Sequence, residues 1–311
     1  MRGKILCKKH DLQLKVSLLG GQCFRWKKIG DDKYRGVIRN RVWTLFQSEE
    51  HIDYDVTEIT ENKHKTKNQE LNIEYNKILS DYLRLDENVQ ELYSAWSEKD
   101  PNFKEVAKEF FGVRILRQDP VENLFSFICS SNNNIVRITS MVEKLSKFYG
   151  EKICELDGET YYEFPSITAL AEPSVEAKLR KEGFGYRAKY IHESAVKIMA
   201  FGGTEWLIRL QKLPYAEAKI ELMKLSGIGA KVADCICLMS LNHLEAIPVD
   251  THVFQISQQY LPHLKSKKTV TDKIYNEIGE YFRNLYVKYA GWAHTVLFCS
   301  DLKMFQTPPS M

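Results

Sequence analysis

Two short runs rich in β-branched and aromatic residues, YRGVI at 34–38 and VWTLF at 42–46, flank the polar tripeptide Arg39-Asn40-Arg41. Such runs broken by a polar turn predict an antiparallel hairpin, and most of the first fifty-odd residues read as strand. Residues 59–70, TENKHKTKNQEL, are polar without a period and are expected to form a solvated loop. From about residue 73 the apolar positions recur at helical spacing. Asp119, Pro120 and Glu122 mark one helix start: an N-cap, a residue with φ preset for helix, and an acid in the first turn. Further helices are expected over 135–149, 173–182, 187–200, 215–225, 230–241, 251–260, 271–286 and 289–299. The predicted fold class is α+β, with an antiparallel β-containing domain over residues 1–100 followed by a mostly α-helical domain over 101–311.

Composition narrows the class. The 311 residues are 44% hydrophobic, enough for a sizeable core divided among two or three packed units. No apolar run reaches the length of a membrane span, and the opening MRGKILCKKHDLQ lacks the apolar stretch of a secretory signal, so an intracellular protein with no membrane partner is expected. The seven cysteines are scattered and odd in number, without Cys-x-x-Cys spacing or the grouped four that hold an iron–sulfur cluster. Free, mostly buried thiols and no metal or cofactor are therefore expected. A net charge of +3 and a pI near 8.3 permit an acidic partner without requiring one.

The most informative stretch is Leu225-Ser226-Gly227-Ile228-Gly229-Ala230-Lys231, set between two helix-forming segments with few residues for the reversal. That is a helix-hairpin-helix. Gly227 and Gly229 let the backbone approach a ligand, and the first N–H groups of the second helix lack partners within it. With the positive end of the helix dipole behind them, they suit a DNA phosphate. The hairpin alone is equally an ordinary helix connection with a glycine C-cap. Lys231 opens the second helix, where backbone dipoles disfavour a positive charge and so favour the neutral amine that a nucleophile must be. By itself, Lys231 reads better as a phosphate-contacting or solvated lysine.

Ile247-Pro248-Val249-Asp250-Thr251-His252 changes that balance. Asp250 is placed to cap the helix that begins near Thr251. A carboxylate beside the lysine is also what glycosidic cleavage needs, because positive charge develops on the sugar and the amine must shed a proton. One residue can do both. His252 packs or reaches a phosphate and is not proposed as an acid or base.

LSGIGAK and IPVDTH together resemble the helix-hairpin-helix DNA glycosylases that carry a catalytic lysine and aspartate, with Lys231 and Asp250 at those positions. GGQCFRW at 20–26, CSSNNNIVRIT at 129–139 and GFGYRAKY at 183–190 resemble the eukaryotic 8-oxoguanine DNA glycosylases in particular. The likeness runs from roughly residue 15 to Asp301 and weakens over 59–72 and 262–272.

The resemblance implies base excision repair by a bifunctional glycosylase and abasic-site lyase. A base is flipped into a pocket, Lys231 attacks the anomeric carbon, and a Schiff base then undergoes slow β-elimination. It implies that the Gly21 carbonyl accepts from N7–H, a group that 8-oxoguanine has and guanine lacks. Facing guanine, that carbonyl would meet another acceptor, at a cost of roughly 1–3 kcal/mol. Cys235 and Phe298 match the positions that flank the extruded base, although residue type alone assigns both to the core. Asn132, Arg137, Tyr186 and Arg187 match the residues that fill the vacated space, wedge the duplex and donate to the opposite cytosine; residue type alone makes them a polar helix end and surface ion pairs. The implied partner is double-stranded DNA containing oxidised guanine, bound by a monomer. Met311 follows soon after the last helix with no long basic tail as a nuclear address, so a nuclear location is carried by the resemblance alone.

His294 departs from the family, which usually has glutamine there to read the guanine edge. A neutral ring would accept from N1–H and a charged ring would donate to O6, but neither copies an amide's donor and acceptor. Guanine-derived lesions are still expected, with activity falling at low pH if the neutral ring is needed. A core-facing structural histidine is the plain alternative. Three other activities compete: a relative acting on oxidised pyrimidines or mispaired adenine, a non-catalytic DNA-binding protein, and a glycosylase using activated water. The missing cysteine cluster, the pocket residues and Lys231 argue against them in turn.

Overall fold

The computed structural model describes residues 1–58 and 68–306. Five strands, β1 (Arg2–Leu6), β2 (Lys27–Gly30), β3 (Lys33–Ile38), β4 (Arg41–Gln47) and β5 (His51–Thr57), form one antiparallel sheet in the order β1-β5-β4-β3-β2. The expected hairpin is β3–β4, with Tyr34 opposite Leu45 and Val37 opposite Val42. Its reversal uses Arg39 and Asn40 at φ +47° and +60°. Positive φ at both central residues is the turn whose twist matches that of paired strands.

Strand β3 is buried from Tyr34 to Ile38, so its apolar and polar positions do not alternate. Helix Asn68–Tyr82 supplies Tyr75, Ile78, Leu79 and Tyr82 to the cluster around Trp43. Val37 and Val42 instead meet Ile153 of a second hairpin, β6 (Lys152–Leu156) and β7 (Glu159–Tyr162). That hairpin is a correction to a helical reading of the chain beyond residue 73. Its Asp157-Gly158 turn, with φ +53° and +78°, was the available sequence signal. Of the polar stretch 59–70, residues 59–67 lie outside the described residues and 68–70 begin a helix.

The expected helices are present as Ile135–Tyr149, Val175–Lys181, Arg187–Phe201, Tyr215–Leu222, Ala230–Met239, Thr251–Tyr260, Asp272–Tyr286 and Ala290–Asp301. They surround the larger core, which also takes Val16 and Phe24 from the N-terminal segment. Gln22 fixes that segment in place. Its amide donates to the Arg114 carbonyl at 2.7 Å and accepts from Leu116 N–H at 3.0 Å. No helix among the described residues is long and apolar enough to cross a membrane.

Asp119 caps the helix Pro120–Ser130, accepting from the N–H groups of Val121 at 2.9 Å and Glu122 at 3.0 Å. Asp119→Ala leaves both without that partner and is expected to cost about 1 kcal/mol, read as a lower urea midpoint at unchanged slope. An unchanged midpoint would show that water replaces the cap.

Candidate active site

Helix Ala230–Met239 follows the tight reversal at Gly227, where φ is +79°. A Cβ added there would lie 2.4 Å from the Tyr190 ring, so both conformation and space require glycine. A Cβ at Gly229 would meet nothing within 4 Å, and no side chain caps the helix there. Its first-turn N–H groups are therefore open to an anion, and Lys231 stands one residue into the helix.

Lys231 is half-buried and makes no ion pair among the described residues; its amine lies 5.4 Å from the centroid of the Phe127 ring. Asp250 caps helix Thr251–Tyr260, with Oδ1 accepting from Val253 N–H at 2.9 Å. One carboxylate oxygen is used by the cap, and the other accepts no hydrogen bond among the described residues. Both residues line a narrow cavity of about 50 Å³ together with Gly21, Cys235, His294 and Phe298. Gly20 also lines it, and Gln22, Phe127, Met239, Pro248, Val253 and Thr295 complete its wall without having been identified as site residues from the sequence. Apolar residues among them look like core in one dimension, because a pocket wall and a core share the same composition. A larger cleft of about 480 Å³ near Asp119 contains no lysine, and its Arg25 is already paired with Glu122 at 3.1 Å.

Local backbone places the smaller parts. Gly21 has φ +83°, so the loop after helix Leu14–Leu19 needs glycine to turn into the cavity. Cys235 is one helical turn beyond Lys231. Burial pushes its thiol up to about 11 against the lowering pull of Lys231, so it faces the pocket uncharged. His252 joins Asp301 at 2.6 Å and sets its ring edge-on to Phe298 at 5.8 Å, buttressing the cavity wall.

Asn132, Arg137, Tyr186 and Arg187 form a second cluster. Tyr186 donates to the Ser131 carbonyl at 3.1 Å and is 44% exposed. Arg187 donates to the carbonyls of Ser131 and Asn132, and its guanidinium lies 4.6 Å from the Tyr186 ring centroid. Arg137 reaches the Gly183 carbonyl at 3.3 Å. Asn132 has φ +47°, a conformation asparagine tolerates better than most residues. The buried Arg187 is therefore engaged by backbone carbonyls.

His294 is 2% exposed, packs edge-on against Phe282 at 5.3 Å, and has a buried Nε2 with no partner. Burial lowers its pKa from 6.5 to about 4, with Asp250 pulling weakly the other way. The neutral ring is thus the one presented to the cavity.

A helical body with a glycine hairpin, a lysine opening its second helix and an aspartate beside it defines a helix-hairpin-helix base-excision protein. Residues 125–281 match the HhH-GPD superfamily base excision DNA repair protein. Residues 4–124 match the 8-oxoguanine DNA glycosylase N-terminal domain. The chain is 43% identical to the N-glycosylase/DNA lyase of Arabidopsis thaliana, over 96% of this chain and 79% of that protein. It is 35% identical to the N-glycosylase/DNA lyase of Saccharomyces cerevisiae, over 96% and 86%. The Clostridium acetobutylicum 8-oxoguanine glycosylase/lyase, solved with double-stranded DNA containing cytosine opposite 8-oxoguanine, superposes with a TM-score of 0.79 at 30% identity, over 93% of this chain and 91% of that one. The chain belongs to the 8-oxoguanine DNA glycosylase family.

The lowered pKa of His294 has a testable sign. Between pH 6.5 and 4 the unfolded ring takes up a proton that the folded ring refuses, so stability falls as pH drops through that window. His294→Gln is expected to lose part of that fall, read as urea midpoints at the two ends of the window. Parallel loss in both proteins would show that the ring titrates freely when folded.

Proposed function

We propose that this bifunctional DNA glycosylase and abasic-site lyase excises 8-oxoguanine and related oxidised purines opposite cytosine, with Lys231 and Asp250 as the reacting pair. What carries the assignment of residues is the meeting of Lys231, Asp250, Gly21, Cys235, His294 and Phe298 on one cavity. The amine of Lys231 attacks C1′ of the flipped nucleotide as the bond to the base breaks, and the base leaves with the electron pair and takes up a proton. The free oxygen of Asp250 stabilises the positive charge that develops on the sugar. After the amine sheds its proton, the sugar ring opens to a Schiff base at C1′. Loss of a C2′ proton then expels the 3′ phosphate by β-elimination.

The Gly21 carbonyl selects the lesion through N7–H, and Cys235 and Phe298 hold the base between a neutral thiol and a ring. His294, uncharged, offers one ring nitrogen to the guanine edge in place of an amide. Gly227, Gly229 and the open helix start bind phosphate. Arg137 and Arg187 donate to cytosine while Asn132 and Tyr186 fill and wedge the gap. A nuclear location for this repair enzyme is the further reading supported by its eukaryotic relatives.

Borohydride trapping on duplexes carrying 8-oxoguanine opposite each of the four bases tests the chemistry. The native protein is expected to give a covalent adduct, strongest opposite cytosine, and Lys231→Gln none. Binding without an adduct would overturn the lysine's role. Arg187→Ala is expected to narrow the preference for cytosine over adenine by about tenfold or more. An unchanged ratio would remove Arg187 from base reading.

A further inference from the structure

Asp234 lies in helix Ala230–Met239, three residues beyond Lys231, and its side chain is fully buried. A carboxylate inside a protein persists only where donors surround it, and three do so here. Tyr215 donates to Oδ1 at 2.6 Å, while Lys219 at 2.8 Å and Tyr275 at 2.5 Å reach Oδ2. Tyr215 and Lys219 come from helix Tyr215–Leu222, the first of the hairpin, and Tyr275 comes from helix Asp272–Tyr286. The Tyr275 hydroxyl, its proton given to Asp234, accepts from Val249 N–H at 3.3 Å and lies 3.3 Å from the Ile247 carbonyl. Val249 immediately precedes Asp250.

A hydrogen-bonded path thus joins the helix that presents Lys231 to the loop that presents Asp250, two groups that form no ion pair with each other. Neither Asp234 nor Tyr275 lines the cavity. We propose that Asp234 and Tyr275 are positioning residues, which fix the Ile247–Asp250 loop against the Lys231 helix and so hold carboxylate and amine at their reacting separation. The inference rests on Lys231 and Asp250 being the reacting pair. Its physical content is that a small displacement of one reacting group costs rate without costing affinity.

The test is a double-mutant cycle in the full chain: native protein, Tyr275→Phe, Asp250→Asn and the double variant. Single-turnover excision of 8-oxoguanine opposite cytosine is measured for each, with the affinity for a duplex carrying a tetrahydrofuran abasic analogue. Tyr275→Phe is expected to slow excision about tenfold at native affinity, and to add almost nothing in the Asp250→Asn background. A general structural role would slow both backgrounds equally. Equal loss, an unchanged rate, or a rate loss that merely follows affinity overturns the proposal. Asp234→Asn supplies a second variant, expected to slow excision only where Asp250 is intact. Native-rate excision by Asp250→Asn would instead overturn the reading of the reacting pair beneath it.

Discussion

The reversal at Gly227 is the constraint on which the site depends. The backbone turns there through a left-handed conformation, and the Tyr190 ring occupies the space a side chain would need. Without that turn, helix Ala230–Met239 would not begin where it does. Lys231, Cys235 and Asp234 would then lose their common frame. One helix start thereby presents uncapped N–H groups and the Lys231 amine side by side, so the proposed phosphate site and the proposed nucleophile share one piece of backbone.

The N-terminal sheet contributes no reacting group, yet the site is incomplete without its chain. Gly20 and Gly21 enter the cavity because Gln22 is held by the backbone of Arg114 and Leu116, and because Phe24 packs on Phe127 at 5.7 Å. Phe127 in turn lies beneath the Lys231 amine. The Gly20-Gly21 segment and the Lys231 amine are thus mechanically connected through a shared apolar contact. Burial sets protonation at this junction: it keeps Cys235 a thiol and His294 an uncharged ring, so neither brings a charge to the cavity.

Local rules made much of this molecule readable in one dimension. The β3–β4 hairpin, the Asp119 cap, the bounds of helix Ile135–Tyr149 and the glycine turn before Lys231 each follow from steric and hydrogen-bonding preferences that act within a few residues. Resemblance of separated motifs then identified Lys231, Asp250, Gly21, Cys235 and Phe298, and the fold brings them to one cavity. The β6–β7 hairpin escaped because its short strands are held by partners more than a hundred residues away in the chain, Val37 and Val42 among them.

The sequence by itself determined most of the helices, the β3–β4 and glycine hairpins and the chemical identities of the candidate residues, because those depend on neighbours in the chain. Tertiary structure alone decided which apolar side chains became pocket wall, that Arg187 is held by the carbonyls of Ser131 and Asn132, and that His294 is buried and neutral. It also decided that Asp234, a buried carboxylate in helix Ala230–Met239, meets two tyrosines and a lysine from other helices. Burial and partnership between distant residues have no local signature, since a residue's solvation depends on what the rest of the chain packs against it.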